Sequence, residues 1–302
     1  LHVFLRGNTQ TKGDLVKRRF LKVLAQNESK PFTQGSGRLE LAEAIADPNN
    51  PLTARVIVNR VWSLFFGRGL VATPSNFGQL GSPRSHSELL DDLAVRFMEN
   101  NWSIKWLVRE LVLSSTYQQS SQMISQNELI DPANIYLWRM NRRRLSVEQW
   151  RDSILAASNS LDRRGGESLE LTDIKNIHRT VYGRVSRKKL NDILMQFDYP
   201  DPNVHSAKRS VTTTALQKLF MINSNFMVEQ AKRLAKRITL GSTMMDSTNI
   251  QKTYAVLYNR EPTNEEINLA LSFLQLPVEG KLTRWEQYSH ALLAATEMMF
   301  ID

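Results

Sequence analysis

A chain of 302 residues with 41% hydrophobic and 23% charged residues has the composition of a folded globular protein, which excludes extended disorder. It contains no cysteine, so disulfides, thiolate metal sites, c-type haem attachment and a cysteine nucleophile are all excluded within this segment. Thirty-nine basic residues against 30 acidic ones leave a net charge of +9, which suits a polyanion without choosing among nucleic acid, anionic lipid and acidic polysaccharide.

The opening "LHVFLRG" reads as a strand over about residues 2–6 and carries neither a starting Met nor a signal peptide, as a piece of a longer protein would. Helical periodicity takes over after residue 30. "GRLELAEAIADP" places Leu39, Leu41, Ala42 and Ile45 on a helix, ended by Asp47 and Pro48. The next helix has Asn50 as its cap, Pro51 in its first position, and Gly67 and Gly69 at its close. Ser85 and Glu88 have capping-box spacing ahead of Leu89, Leu90, Leu93, Phe97 and Met98. Ser103 caps a helix that turns Trp106, Leu107, Leu111 and Val112 inward, and Ser146 with Gln149 opens one carrying Trp150, Ile154, Leu155 and Leu161. "TVYGRVSR", residues 180–187, is the second strand signal and would pair with the first in a small edge sheet. "NSNFMVEQAKRLAKRI" reads as one helix, followed by the clearest break, "GSTMMDST" at 241–248. Beyond it, "IQKTYAVLYNREP" and "TNEEINLALSFLQ" form a helical hairpin with Thr263 and Glu266 as a capping box, and a last helix runs through "RWEQYSHALLAATEMMF". The expected fold is mainly α: a multi-helix body with a small β element over 1–240, and a C-terminal helical lobe over 241–302 packed on it as one unit. No apolar run reaches the roughly 18 residues that cross a bilayer.

Few residues carry recognisable chemistry. The histidines at 2, 86, 178, 205 and 290 lack zinc-helix spacing, and nucleophile elbows, phosphate loops and dinucleotide fingerprints are missing. Arg55, Asn59 and Ser63 follow one another at four-residue intervals as a polar stripe on an apolar helix, with Arg60 beside it. Such a stripe is either a set of core anchors, the commoner outcome, or a ligand-facing row. Arg142, Arg143 and Arg144 stand just before a helix start, where they would favour an anion; at most two can share a face, and one is expected to pair with Glu148 or Asp152. Arg184, Arg187, Lys188 and Lys189 form a second basic cluster, but no aromatics interleave with it, which argues against nucleic acid as a partner.

The stretch "FDYPDPNV", residues 197–204, is the densest in chemistry. Pro200 and Pro202 stiffen it, and Asp198, Asp201 and Asn203 offer oxygen ligands to calcium, with Asp198 and Asp201 as the metal candidates, or to sugar hydroxyls. The plainer reading is an Asx turn with a salt bridge to Arg209. Thr212, Thr213, Gln217 and Asn223 bring a polar loop back after it, and these groups converge only if the fold brings them together. In an enzymatic alternative, Asp198 and Asp201 serve as the acid/base pair of a carbohydrate-active hydrolase.

The run "GSGRLELAEAIADPNNPLTARVIVNRVWSLFFGRGLVATPSNFGQLGSPRSHSELLDDLA", with "LVLSSTYQQSS", "DPANIYLWRMNRRRLSVEQWRDSIL", "FDYPDPNV" and "LYNREPTNEE", closely resembles the planctomycete-specific C-terminal domain of unknown function found in exported, cytochrome-c-linked proteins. Its recurring motifs are met at Asn59, Arg60 and Trp62; at Ser114, Ser115 and Tyr117; at Arg142 to Arg144; at Asp198, Pro200 and Asp201; and at Gln217 and Asn223. Where the family commonly has a proline before the glutamine, this chain has "TTTALQ". The resemblance implies an exported, periplasmic or cell-surface setting, with haem elsewhere in the parent protein and no cofactor in this segment unless calcium. It supplies no activity. The resulting expectation is a non-catalytic binding or assembly module whose partner is an anionic polysaccharide or a haem-containing domain of the same protein.

Overall fold

The computed structural model describes residues 2–25, 30–166, 168–240 and 246–301. The chain divides into two compact units, Leu1–Asn141 and Arg142–Asp302, and the fold is mainly α with two small two-stranded sheets among the described residues.

In the first unit β1 (His2–Phe4) pairs antiparallel with β2 (Lys12–Leu15), with His2 opposite Leu15 and Phe4 opposite Lys12. The first strand therefore finds its partner ten residues on, not at 180–187. Six helices follow: α1 (Arg38–Ala46), α2 (Thr53–Phe66), α3 (Ser87–Glu99), α4 (Ile104–Leu113), α5 (Ser115–Gln118) and α6 (Ser125–Ile130). The core is the meeting of α2, α3 and α4: Val58, Trp62 and Phe66 against Leu90, Leu93 and Phe97, closed by Leu107 and Leu111. The apolar residues of α1 are not part of this core: Leu39, Leu41 and Ile45 are all exposed.

Helix ends follow the sequence in part. Asn50 Oδ1 accepts from the Leu52 N–H, and α2 begins after it at Thr53, so Pro51 precedes the helix. Gly67 closes α2 with a left-handed φ of 77°. Ser103 caps α4 through the Trp106 N–H. The box expected at Ser85 and Glu88 does not form: α3 starts at Ser87 with His86 as its uncapped flank, and the Ser85 hydroxyl donates to the Leu70 carbonyl. Asn59 is fully buried and clamps the returning chain, donating to the Val71 carbonyl at 3.0 Å and accepting its N–H at 2.8 Å. Gly69 makes this approach possible, since a Cβ there would stand 2.7 Å from Asn59 Oδ1.

The second unit contains β3 (Arg143–Arg144), α7 (Val147–Ala157), α8 (Asp192–Gln196), α9 (Ala215–Asn223), α10 (Asn225–Thr239), α11 (Asp246–Tyr258), α12 (Asn264–Leu274), α13 (Arg284–Leu293) and β4 (Phe300–Ile301). β3 pairs antiparallel with β4, Arg143 opposite Ile301 and Arg144 opposite Phe300. The predicted strand at 180–187 is instead a 3-10 turn at Thr180–Tyr182 and a single bridge from Gly183 to Leu169. The cause is local. Asp152 takes the Thr180 N–H and hydroxyl, and Arg151 takes the carbonyls of Asn176 and His178, so side chains satisfy backbone groups that a ladder would need.

Trp150 anchors the second core. It stacks on Phe197 at 4.6 Å, with Phe220 edge-on and Met221, Met227 and Leu234 around it. The capping boxes at Ser146/Gln149 and Thr263/Glu266 are both formed. Of the predicted break at 241–248, residues 241–245 lie outside the described residues. Helices α11, α12 and α13 share a smaller cluster of Ile250, Tyr254, Ala270 and Tyr288, and α13 also packs along α10.

Arg260 staples this cluster, gripping both oxygens of Glu266 and both of Glu297. Its hydrogen bonds hold the Glu266 carboxyl at about 2, against an ordinary 4.5, with the Thr263 N–H assisting. A carboxyl depressed on folding adds stability that is complete above the unfolded value and is lost as pH falls toward the folded one. The thermal midpoint of Glu266→Gln should therefore lie below that of the parent at neutral pH, and the gap should close between pH 4.5 and 2. A gap that stays constant down to the acid end would show that the charge is not what Glu266 contributes.

Candidate functional site

The predicted residues come together around Asp198. The α8 helix ends at Gln196, Phe197 is buried against Trp150, and Asp198 then adopts a left-handed φ of 61° that swings the chain away. Aspartate is one of the few residues that tolerate this conformation. Its carboxylate faces inward. Oδ1 accepts the Thr212 hydroxyl at 2.7 Å, and Oδ2 accepts the Thr212 N–H at 2.9 Å.

Arg144 and Gln217 complete the cluster. Arg144, whose side chain is only 6% exposed, approaches Asp198 Oδ2 at 3.5 Å and donates to Gln217 Oε1 at 2.8 Å. Gln217 is buried and donates to the Gln196 carbonyl at 2.9 Å, while its Oε1 also accepts the Thr214 N–H in the capping box that starts α9. Burial draws the Arg144 guanidinium below its ordinary pKa, and the charge of Asp198 works against that. One residue each from β3, the turn after α8, the returning loop and α9 are thus held in a single network.

The rest of the stretch follows the plainer reading in its Asx turn but not in its salt bridge. Asp201 Oδ1 accepts from the N–H and the carboxamide of Asn203, an Asx turn, and the same carboxamide reaches the Arg187 carbonyl. Arg209 does not pair with either aspartate. It meets Glu148 at 2.7 Å and lies over the Tyr199 ring at 4.9 Å, because Asp198 is turned inward and Asp201 is engaged in its own turn. Burial alone would push the Glu148 carboxyl up, but the Arg209 hydrogen bond and backbone donors hold it below its ordinary value. Of the three consecutive arginines, the one that turns in finds Asp198 and Gln217. The partners expected for it are otherwise engaged: Glu148 serves Arg209, and Asp152 serves Thr180 and Arg179.

The other candidates lie elsewhere in burial and setting. Arg142, Thr213 and Asn223 are exposed, Arg143 is half-buried in β3, and Ser224 rather than Asn223 caps α10. Arg55 and Asn59 belong to the first unit, where Arg55 meets Asp91 at 2.6 Å and the Pro51 carbonyl, so both act as anchors of the fold; Arg60 is exposed. Among the described residues no group of three or more His, Cys, Asp or Glu side chains gathers to hold a metal.

Above the network lies a recess of about 330 Å³, lined by Tyr199, Asp201, His205, Ser206, Arg209 and Ser210, with Asp198 at its edge. Sequence reasoning missed Tyr199, His205, Ser206 and Ser210, and also Glu148 as the residue that fixes Arg209. Tyr199 had a visible signal, an aromatic inside a proline-stiffened acidic turn. Glu148 had none, lying 61 residues from its partner.

No curated protein matches the chain, and no solved structure matches it. Residues 37–274, a span that includes the whole Arg144, Asp198 and Gln217 network, match the model of PSD1, protein of unknown function (DUF1553), and the chain belongs to that family.

Proposed function

We propose that the second unit is a non-catalytic binding module that takes a segment of anionic polysaccharide into the recess beside Tyr199 and Arg209. The observation that carries this reading is the pre-set pair on the rim: Arg209 is already stacked on Tyr199 and braced by Glu148. A guanidinium has five donors in a planar fork that suits a carboxylate or sulfate, and Glu148 takes one hydrogen bond from Nη1. Asp201, Ser206 and Ser210 offer hydrogen-bonding partners to sugar hydroxyls around it. Because the turn at Asp198 is tied to Thr212, Gln217 and Arg144, little order has to be gained on binding. The net charge of +9 favours an acidic polymer over a neutral one. The resemblance to exported, cytochrome-linked proteins supports a setting outside the cytoplasmic membrane, with the haem in another segment.

Polygalacturonate, dextran sulfate and neutral dextran separate the outcomes. The expected result is a thermal stabilisation by the acidic polymers that fades with salt, with an affinity reduced at least tenfold in Arg209→Gln, the loss of one desolvated charge-assisted contact. Equal stabilisation by neutral dextran, or an Arg209→Gln protein that binds like the parent, would remove the recess as the site.

A further inference from the structure

Residues 2–25 stand ahead of α1 and ahead of the region that the family model matches. None of them is buried. They carry Arg6, Lys12, Lys17, Arg18, Arg19 and Lys22 against one acidic residue, Asp14, a net +5 within 24 residues and more than half of the +9 of the whole chain. The same segment exposes large apolar side chains: Leu15 at 71%, Leu21 at 60% and Val23 at 87%, with Val3, Phe4 and Leu5 near half.

Exposure on this scale needs a cause. A two-stranded hairpin is marginal by itself in water, and the arm is held by its base, not by a core. The Arg18 guanidinium donates to the carbonyls of Gly35 and Ser36, and the Phe32 N–H donates to the Arg18 carbonyl. These bonds fix where the arm leaves the unit and leave its apolar side chains wet.

The mixture of charges and apolar groups narrows the partner. A soluble polyanion would use the lysines and arginines but would leave Leu15, Leu21 and Val23 in water. A folded protein partner would have to match these side chains one by one, spread as they are over β1, β2 and the turn at Lys22–Leu24. A lipid surface asks for no matched shape: headgroup phosphates accept the cationic ends, and the acyl boundary takes the aliphatic ones. No helix among the described residues is long and apolar enough to cross a membrane, so the contact would be made from one side.

We propose that residues 2–25 form a membrane-surface anchor that lays its basic side chains on anionic lipid headgroups and seats Leu15, Leu21 and Val23 in the interface. Each basic residue near such a surface adds about fivefold to binding. Three of them together are worth on the order of a hundredfold.

The test is flotation of the whole chain with vesicles of equimolar phosphatidylglycerol and phosphatidylcholine, compared with pure phosphatidylcholine. Binding is expected to the anionic vesicles alone and to weaken with salt. Lys17→Gln/Arg19→Gln/Lys22→Gln should bind on the order of a hundredfold more weakly, and Leu21→Ser/Val23→Ser at least about tenfold more weakly from the apolar area lost. All five side chains are exposed, so the thermal midpoint of each variant should match the parent. Absence of binding to the anionic vesicles overturns the proposal. So does full retention of binding by Leu21→Ser/Val23→Ser together with complete competition by dextran sulfate, which would assign the arm to a soluble polyanion. Preferential capture by polyglutamate over vesicles would assign it to an acidic protein and overturn it equally.

Discussion

Arg144→Met is expected to lower the unfolding free energy of the protein by about 3 to 5 kcal/mol, the usual result of removing one partner from a buried ion pair. The side chain is 6% exposed and its partner Asp198 is 18% exposed, so the carboxylate left behind cannot recover full hydration. Gln217 Oε1 loses its best donor at the same time. The single substitution therefore leaves Asp198 uncompensated in charge, held by its Thr212 donors, and Gln217 Oε1 with only the longer Thr214 N–H contact. Arg144→Met/Asp198→Asn provides the control. Asparagine tolerates the left-handed φ of 61° and can still accept from Thr212, but it carries no charge to strand. It should recover about half or more of the loss, read by urea denaturation with tryptophan fluorescence. If the two changes simply add, Arg144 and Asp198 are neighbours without coupling. Asp198→Ala alone should also be costly, since alanine both empties the network and pays for the positive φ.

Arg151→Leu should be about as damaging, about 3 to 5 kcal/mol, for a different reason. This guanidinium is 1% exposed, and among the described residues its hydrogen bonds go to neutral acceptors. It donates to the carbonyls of Asn176 and His178 and to the Thr180 hydroxyl, and it lies 5.4 Å over the Phe226 ring. Burial draws its pKa down, opposed by the charge of Asp152. Leucine fills part of the space but leaves buried acceptors without donors, at about 1 to 3 kcal/mol each. Lysine should not rescue the protein, because one ammonium cannot serve acceptors that a planar fork reaches from two nitrogens. Amide exchange over residues 176–183 should rise in both variants. A lysine variant with parental stability would mean that the charge, and not the fork, is what the loop needs.

How much of this was readable in advance depends on how local each cause is. Ser103, Ser146 with Gln149 and Thr263 with Glu266 cap their helices as their spacing predicts, because a cap is decided within four residues. Ser85 has the same spacing and fails, since the helix starts at Ser87 with His86 in the capping position, while Ser85 is tied to the Leu70 carbonyl fifteen residues earlier. The helix α1 was visible in the sequence, but its pattern says nothing about whether a neighbour will cover its apolar residues. The β-rich signal at 180–187 lost to two side chains on α7. At the site, the conditional convergence of Thr212 and Gln217 on Asp198 does occur. The inward arginine could be placed only by the fold, for Arg144 and Asp198 are 54 residues apart. The two-residue strands β3 and β4 are too short to show any alternation at all.

The pairing of β3 with β4 also sets the order of events when the chain is made. Arg144 touches Met299 across 155 residues of sequence, and the Leu145 N–H bonds the Met299 carbonyl. Contacts of such separation are slow to close. During synthesis the strand that carries Arg144 emerges early and must wait for the far end of the unit before its ladder can form. Until then the guanidinium that will counter Asp198 is held by no strand, and the turn has only its ties to Thr212 and Gln217.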